Sequence, residues 1–422
     1  MKIFDWKELA KFAKQNSVYY GKLYSGISDF EKLSDLPVVD QAEFWAANTS
    51  KNNQVFTSKQ TDGIVFKSGG TTGNPKFSVF SKDEWDLFTR FFGEGMNKGG
   101  MVESDRIANL FYAGELYASF IFIMKCIESA PIPALQFPIS GRTKPEIILQ
   151  TVREFDINVL AGLPTTIMNV AEFYAHNHVP DVKVSKILFG GESMYPDQRR
   201  RLQELFPGVS IRSIGYASVD AGLLGYFDES CEADEHRCFG SATVLEIVDD
   251  DTNEPITEPD KPGKVLLTSL IRGYMPIIRY PVGDRAIWTE EASAQNSDRK
   301  FLILGRSEEA ARVGPVSVYY EDMRAFLDGL KLDFQVTGFQ LLISHSELKD
   351  KLTVRIASPE KPADTKMIDQ FIADSFGRER KMFAEASAEN KIHPLHIDWV
   401  EPSAFEINPR TGKLRRVIDN RN

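Results

Sequence analysis

Cysteine is scarce, with three in 422 residues. So small and odd a number gives no disulfide framework and points to a reducing compartment. Histidine is nearly as rare, at six, and these offer no Ser–His–Asp set for nucleophilic hydrolysis. Long apolar runs are missing. The longest uncharged one, Tyr117 to Met124, falls far short of a membrane span. Positive charge is in deficit, 50 Lys and Arg against 60 Asp and Glu, a formal net charge of −10. That argues against broad nucleic-acid binding, which wants a basic face, while leaving room for a local basic groove around a nucleotide. No internal repeat or low-complexity tract is present. Met1 to Ser17 sets Asp5, Lys7, Glu8, Lys11 and Lys14 among apolar residues, an amphipathic helix pattern rather than a signal peptide. The expectation is a cytoplasmic chain without nucleic-acid or membrane partners, working as a monomer or homodimer.

What is present is the composition of a globular protein, 42% hydrophobic and 26% charged. Its length suggests two or three domains. The densest local signal is Ser68 to Lys76, S-G-G-T-T-G-N-P-K. Gly69, Gly70 and Gly73 let the backbone turn tightly and bring N–H groups near a ligand. Ser68, Thr71 and Thr72 add hydroxyl donors, and Lys76 a point charge for phosphate. The stretch is a phosphate cradle by composition, but not a Walker A loop, because Asn74 and Pro75 separate Gly73 from Lys76. Ile64 to Lys67 precedes it and Lys76 to Phe80 alternates after it, so it joins two strands of a hairpin. Ser81 to Glu84 then fits a capping box. The helix it opens places Trp85, Phe88, Phe91 and Phe92 at core spacing.

From Arg106 strand and helix alternate. Strands are expected at 107–112, 132–135, 158–161, 186–189 and 209–214, and helices at 116–128, 145–155, 165–176 and 196–206. Such alternation predicts a parallel, doubly wound sheet whose ligands sit at the carboxyl ends of its strands. The residues of interest fall there: Tyr112, Ala113 and Gly114; Gly162 to Pro164; Gly190, Gly191 and Glu192; Gly215 and Tyr216. A β-rich section follows, including a strand at 263–268. The last stretch alternates again as a small α+β sheet, with strands at 339–344, 351–357 and 393–400 and a helix from 364 to about 376. Cys231, His236 and Cys238 lie in an acidic stretch and leave two readings open, part of a zinc site or a solvated loop.

Ser68 to Lys76 resembles the phosphate-loop signature of the adenylate-forming superfamily, which unites acyl-CoA synthetases, peptide-synthetase adenylation domains and luciferases. Three further stretches carry the resemblance in the same order. Gly215-Tyr216-Ala217-Ser218-Val219-Asp220 is similar to a Tyr-Gly-x-Thr-Glu segment, with Ala217, Val219 and Asp220 as departures. Met275 to Asp284, M-P-I-I-R-Y-P-V-G-D, resembles the phenylacetate–CoA-ligase-like branch, as does Leu36-Pro37-Val38-Val39 upstream of the loop. Asn408 to Lys413 resembles the closing Pro-x-Thr-x-x-Gly-Lys.

The resemblance covers nearly the whole chain. It implies an α/β fold: a large N-terminal adenylation domain over 1–304, with doubly wound sheets and a β-rich subdomain, and a small mobile α+β lid over 305–422. It implies an enzyme that joins a carboxylic acid to ATP, releases pyrophosphate, and passes the acyl group to a thiol. An aromatic acid and coenzyme A lead; a carrier protein, an amine or another acceptor is the alternative. A catalytically inactive nucleotide-binding regulator is a third reading, which the departures at Ala217, Val219 and Asp220 allow and Lys413 opposes. The implied catalytic residues are Lys413, Asp220 and Thr71, with Asp220 on magnesium. The nucleotide would be held by Ser68, Gly69, Gly70, Thr71, Thr72, Gly73 and Lys76, by Gly190, Gly191 and Glu192, by Gly215, Tyr216 and Ala217, and by Asp284 and Arg306. Tyr112, Ala113, Gly114, Phe189, Ala221 and Gly222 would line the acyl pocket, and Glu308 would be the hinge. Gly314-Pro315 stands where the branch has Arg-Gly, in a loop that lines the thiol tunnel, which opens the question of the acceptor.

Overall fold

The computed structural model describes residues 2–59, 62–67, 76–192, 194, 196–293, 297–306, 310–314, 316–330, 332, 334–346, 349–359, 365–388, 390–409 and 412–421. Three helices open the chain: α1 (Trp6–Asn16), α2 (Val18–Leu23) and α3 (Gln41–Ala47). Asp5, Ser17 and Asp40 cap them, each side chain accepting from a first-turn N–H. Their buried aromatics, Tyr19, Tyr20, Tyr24 and Phe44, share a cluster with Ile277, Ile278 and Tyr280. The Tyr20 hydroxyl donates to the Pro276 carbonyl at 3.0 Å. The N-terminal segment therefore packs on a sheet built far downstream.

The expected hairpin follows. Strands β1 (Ile64–Lys67) and β2 (Phe77–Phe80) pair antiparallel, Ile64 opposite Phe80 and Lys67 opposite Phe77. Helix α4 (Lys82–Lys98) starts on the capping box: Ser81 Oγ accepts from Glu84 N and the Glu84 carboxylate accepts from Ser81 N. Its Phe88 ring stacks between Phe80 and Phe122, at centroid distances of 5.1 and 4.7 Å.

The alternating region folds as β3 (Arg106–Asn109), α5 (Ser119–Glu128), β4 (Leu135–Pro138), α6 (Pro145–Glu154), β5 (Val159–Gly162), α7 (Pro164–His176), β6 (Lys186–Phe189), α8 (Pro196–Leu205) and β7 (Ser210–Ser213). The five strands pair parallel in the order β4-β3-β5-β6-β7. Strand order reverses at β3, so the crevice outside β3 and β5 is the topological switch point. Strand β4 begins three residues later than the sequence suggests. Pro131 and Pro133 have no N–H for a ladder, so pairing starts at Leu135.

The β-rich section is one antiparallel sheet: β8 (Tyr216–Ser218), β9 (Gly222–Tyr226), β10 (Glu235–Cys238), β11 (Thr243–Val248), β12 (Gly263–Ser269), β13 (Tyr280–Trp288) and β14 (Lys300–Arg306). Their order is β11-β12-β13-β14-β10-β9-β8. A short hairpin, β15 (Ala310–Val313) and β16 (Val316–Tyr319), leads into α9 (Tyr320–Gly329). The last sheet, β19-β18-β17-β20, uses β17 (Gly338–Ser346), β18 (Lys349–Ala357), β19 (His396–Trp399) and β20 (Val417–Asp419), with α10 (Thr365–Glu379) and α11 (Lys381–Ala388) between β18 and β19. One apolar cluster draws only on residues from Ala311 to Val417; the others draw on earlier residues. Among the described residues no helix is long and apolar enough to cross a membrane.

Cys231, His236 and Cys238 do not converge, and no three His, Cys, Asp or Glu side chains group to hold a metal among the described residues. Cys238 is buried with Ile247 and Leu267. Cys231 Sγ donates to Asp228 Oδ1 at 3.5 Å. His236 is buried on β10 with Nε2 2.8 Å from Ser213 Oγ. Burial pulls the His236 pKa from 6.5 down to about 4. The imidazole is thus neutral in the fold, whereas the unfolded chain takes up its proton near 6.5. Its stabilising effect is complete above that pH and is lost as pH falls toward 4. We expect urea-unfolding stability to drop over this window, His236 contributing up to about 3 kcal/mol of the fall. His236→Gln should flatten the slope; identical slopes in both proteins would assign the effect to other groups.

Candidate active site

At the carboxyl end of β3 the chain turns through Tyr112, which is buried. Its hydroxyl donates to Gly141 O at 3.0 Å and lies 3.3 Å from Thr166 Oγ1. Ala113 is half-buried, and Gly114 is exposed with open space where a side chain would project. After β5, Leu163 and Pro164 start α7, the proline at a position where the helix needs no donor. After β6, Gly190 N donates to Gly162 O at 3.2 Å. Gly191 adopts a φ of +81°, and a Cβ there would lie 2.9 Å from Leu163 Cδ2 and 3.4 Å from Lys413 Cε. Glycine is required there twice, for conformation and for room.

Lys413 reaches this point from the far end of the sequence. The turn that carries it is closed by Gly412 N on Asn408 O and Asn408 N on Lys413 O, both at 2.8 Å. It is docked on the parallel sheet. Arg142 Nη2 donates to Pro409 O at 2.8 Å. Gly412 lies so close to Tyr112 that a Cβ would be 2.1 Å from its ring. Glu192 fastens the same junction: one carboxylate oxygen accepts from Thr165 N and Oγ1 at 3.2 and 2.7 Å, the other from Leu414 N.

The sheet β8–β14 supplies the carboxylates. Gly215, at a φ of +121°, sets Tyr216 so that its hydroxyl donates to Asp284 Oδ2. Asp284 is buried on β13, opposite Arg306 of β14. Ser218 Oγ accepts from Asp220 N at 3.2 Å and Ala221 N at 3.4 Å, shaping the turn that carries the half-buried Asp220. Val219, where the resemblance leads one to expect threonine, and Ala217 pack on an apolar cluster with Phe92 and Leu223. Ala221 is fully buried, and Gly222 takes a φ of +117°. Phe189 is buried with Leu110 and Leu202, and the Arg199 guanidinium lies 5.0 Å from its ring centroid.

The described residues that flank the Ser68–Pro75 stretch are anchored. Lys67 N donates to Leu116 O at 2.8 Å. Lys76 Nζ donates to Gln41 Oε1 at 2.9 Å and stands 5.5 Å from the Trp45 ring centroid. Trp45 Nε1 in turn donates to Tyr280 OH at 2.9 Å, and Gln41 to Pro281 O. Ser68, Gly69, Gly70, Thr71, Thr72, Gly73, Glu308 and Pro315 lie outside the described residues, as does the Arg306 side chain.

Sequence reasoning missed the residues that hold the two ends together. Arg324 of α9 pairs with Asp197 of α8, both buried. Gln198 Nε2 donates to Thr337 O at 2.9 Å. These partners are more than a hundred residues apart and carry no local motif. Lys76 is the converse case. It was expected to serve phosphate, and its charge also ties the loop to α3.

Comparisons with known proteins bear on the fold and the family. The chain is 23% identical to a phenylacetate–coenzyme A ligase of Thermus thermophilus, over 98% of this chain and 95% of that protein. It is 25% identical to an indoleacetate–lysine synthetase of Pseudomonas savastanoi, over 99% and 98%. A crystal structure of 2-hydroxyisobutyryl-CoA ligase in the postadenylation state, in complex with 2-HIB-AMP, superposes with a TM-score of 0.78 at 16% identity, covering 99% of this chain and 88% of that one. At that identity the likeness is one of fold, and it matches the α/β architecture expected from the sequence. The family described as AMP-binding enzyme matches residues 22–275, more than half of the sequence, and the chain belongs to that family.

Proposed function

We propose that the protein activates an aryl-substituted carboxylic acid with ATP as an acyl-adenylate, releasing pyrophosphate, and then transfers the acyl group to the thiol of coenzyme A. The observation that carries this reading is the seat of the Lys413 side chain against Gly191, at the carboxyl end of β6. A carboxylate oxygen attacks the α-phosphorus, and the bond to the β-phosphate oxygen breaks. No proton is moved, because the acid is ionised at neutral pH. What must be overcome is repulsion between two anions. On this reading Lys413 would bridge the carboxylate and the α-phosphate, and Lys76 and the hydroxyls of Ser68, Thr71 and Thr72 would hold the departing pyrophosphate.

The remaining roles follow the same logic. Asp284 offers two acceptor oxygens to a ribose diol, with Tyr216 orienting it through the hydroxyl bond. Gly190, Gly191, Gly215 and Ala217 bring bare backbone close to the base, and Arg306 would reach ribose or phosphate. Asp220 and the nucleotide's oxygens form the hard, oxygen-only set that magnesium prefers, so these residues fit that ion; when bound it would neutralise phosphate charge. The division at 304/305 would separate an adenylating body from a lid, with Glu308 as the hinge. Asp197–Arg324 would hold the lid in the arrangement that presents Lys413.

The two curated relatives support the aryl acid, since one is named for phenylacetate and the other for indoleacetate. Their names diverge on the acceptor, coenzyme A against lysine. One observation favours an amine or carrier as second reading. Gly314 N donates to Asp350 Oδ2 at 2.9 Å, and Asp350 is also bonded to His345 and Arg421. The segment that lines the thiol tunnel elsewhere is tied here through Gly314 to the neighbouring four-stranded sheet.

Acid-dependent pyrophosphate release should appear with phenylacetate or indoleacetate and exceed that with short alkyl acids. Stimulation by coenzyme A would establish the thiol, and stimulation by lysine alone the amine. Silence with every acid would sink the adenylation reading. Lys413→Ala should lower pyrophosphate release by about a hundredfold or more, with nucleotide affinity nearly unchanged; full activity would remove Lys413 from the mechanism. Removing one partner of a buried ion pair typically costs about 3–5 kcal/mol. Asp197→Asn should therefore slow adenylation while acyl transfer from supplied acyl-adenylate is kept or quickened. Equal slowing of both half-reactions would deny the pair its holding role.

A further inference from the structure

The β1–β2 hairpin carries the phosphate loop, and two paired strands alone are marginal in water. Its register shows where outside support enters. Lys67 N looks outward to Leu116 O at 2.8 Å. On the other edge, Phe77 O accepts from Asn48 Nδ2 at 2.7 Å and Val79 O from Arg272 Nη2 at 3.0 Å. Lys67–Phe77 and Val65–Val79 are alternate pairs of the antiparallel ladder. Alternate pairs turn their polar groups to the same side, so Phe77 and Val79 present carbonyls along one open edge. Two side chains from distant segments, the C-cap of α3 and the turn after β12, serve those carbonyls.

Arg272 is an unusual choice for this task. It is fully buried, and its guanidinium lies 3.9 Å from the Phe80 ring centroid. Nε and Nη1 have no hydrogen-bond partner among the described residues. The acids in its field are Glu84 and Asp220. Glu84 is already committed to Ser81 N and Tyr274 N. Burial draws the Arg272 pKa down to about 10, which leaves the group charged at neutral pH. Holding a hairpin edge needs one donor. A buried cation with spare N–H groups is more costly than that task requires.

On the adenylation reading given above, we infer that Arg272 is a positioning residue for the first half-reaction. With Asn48 it anchors the open edge of the loop-bearing hairpin, and its fixed positive charge lies against Phe80. The two strands that flank the Ser68–Pro75 stretch are thereby held in one arrangement near the Asp220 carboxylate before an anionic nucleotide arrives.

The test uses the full chain with Arg272→Met, Arg272→Lys and Asn48→Ala. Four quantities are read: ATP affinity by calorimetry without acid, pyrophosphate release, acyl transfer from supplied acyl-adenylate, and melting temperature. Arg272→Met should weaken ATP binding and pyrophosphate release by about tenfold to a hundredfold, the usual penalty for a misplaced loop. Acyl transfer should stay within about twofold, since pyrophosphate has already left and the loop has no further task. Arg272→Lys should recover part of the loss, and Asn48→Ala should show the same split in milder form. Losses spread evenly over both half-reactions, in step with melting temperature, would overturn the inference in favour of a merely structural role. Wild-type ATP affinity and release in the Met variant would overturn it too. A wild-type protein that binds ATP yet releases no pyrophosphate with any acid would instead refute the adenylation reading, and the ATP affinities of the variants would still decide whether Arg272 orders the loop. Should Arg272→Met fail to fold, Arg272→Lys and Asn48→Ala carry the comparison.

Discussion

The adenylation site as proposed turns on where one ammonium group sits. Two unit charges about 4 Å apart interact by about 4 kcal/mol near a protein surface. A lysine bridging two anions is therefore worth little unless its position is held. Lys413 comes from a turn near the end of the chain and is seated against a glycine more than two hundred residues earlier. Its placement constrains the rest. Gly191, against which it rests, takes the left-handed conformation, and a Cβ there would press on Leu163. Gly412 must lack a side chain to clear Tyr112. Glu192 ties the same junction together through Thr165 and Leu414.

The same economy of charge governs the scaffold. Arg279, in the stretch that resembles phenylacetate–CoA ligases, is buried and pairs with Glu246. Its remaining N–H groups donate to the carbonyls of Ser34, Leu36 and Asn253. Val39 N returns a bond to Arg279 O at 3.2 Å. This explains why Leu36-Pro37-Val38-Val39 and Met275 to Asp284 occur together: they are two sides of one contact. The segment then delivers Gln41 and Trp45 to the base of the phosphate loop. An arginine read as family punctuation thus places a helix that steadies Lys76.

The sequence was legible where its signals are local. Alternating apolar runs ending in glycine gave the parallel sheet and the carboxyl-end turns, because backbone conformation and strand period are set by neighbouring residues. The phosphate-loop hairpin and the Ser81 capping box were legible for the same reason. Strand β4 slipped because two prolines weigh more than the apolar pattern around them. The antiparallel sheet was only partly visible, since its order β11-β12-β13-β14-β10-β9-β8 joins segments by side-chain packing, not by chain proximity. Cys231, His236 and Cys238 left a zinc site or a solvated loop open, because residue types in sequence do not show where strands point. On β10 the histidine turns to Ser213 and the cysteine enters an apolar cluster. Asp197–Arg324 had no signal at all, being an ordinary acid and an ordinary base on two surface-like helices.

The way the lysine is held bears on how it could be released. The apolar cluster built from Ala311 onward takes no residue from the earlier clusters. Among the described residues, contacts that join the parts include the Asp197–Arg324 pair and hydrogen bonds through Gln198, Glu192, Arg142 and Gln335. Parting them strips no continuous core. Arg324 also keeps a partner on its own helix, Asp328 at 3.2 Å. Asp197 would pass into water, where a carboxylate is well solvated. Buried ion pairs exact a desolvation cost in the closed state and recover it on opening. A junction made this way is firm in one geometry and inexpensive to leave, whereas an apolar interface of equal area would resist separation. On the proposed reading, in which one arrangement would join acid to nucleotide and another would admit the acceptor, that difference bears on whether the part built from Ala311 onward could serve both.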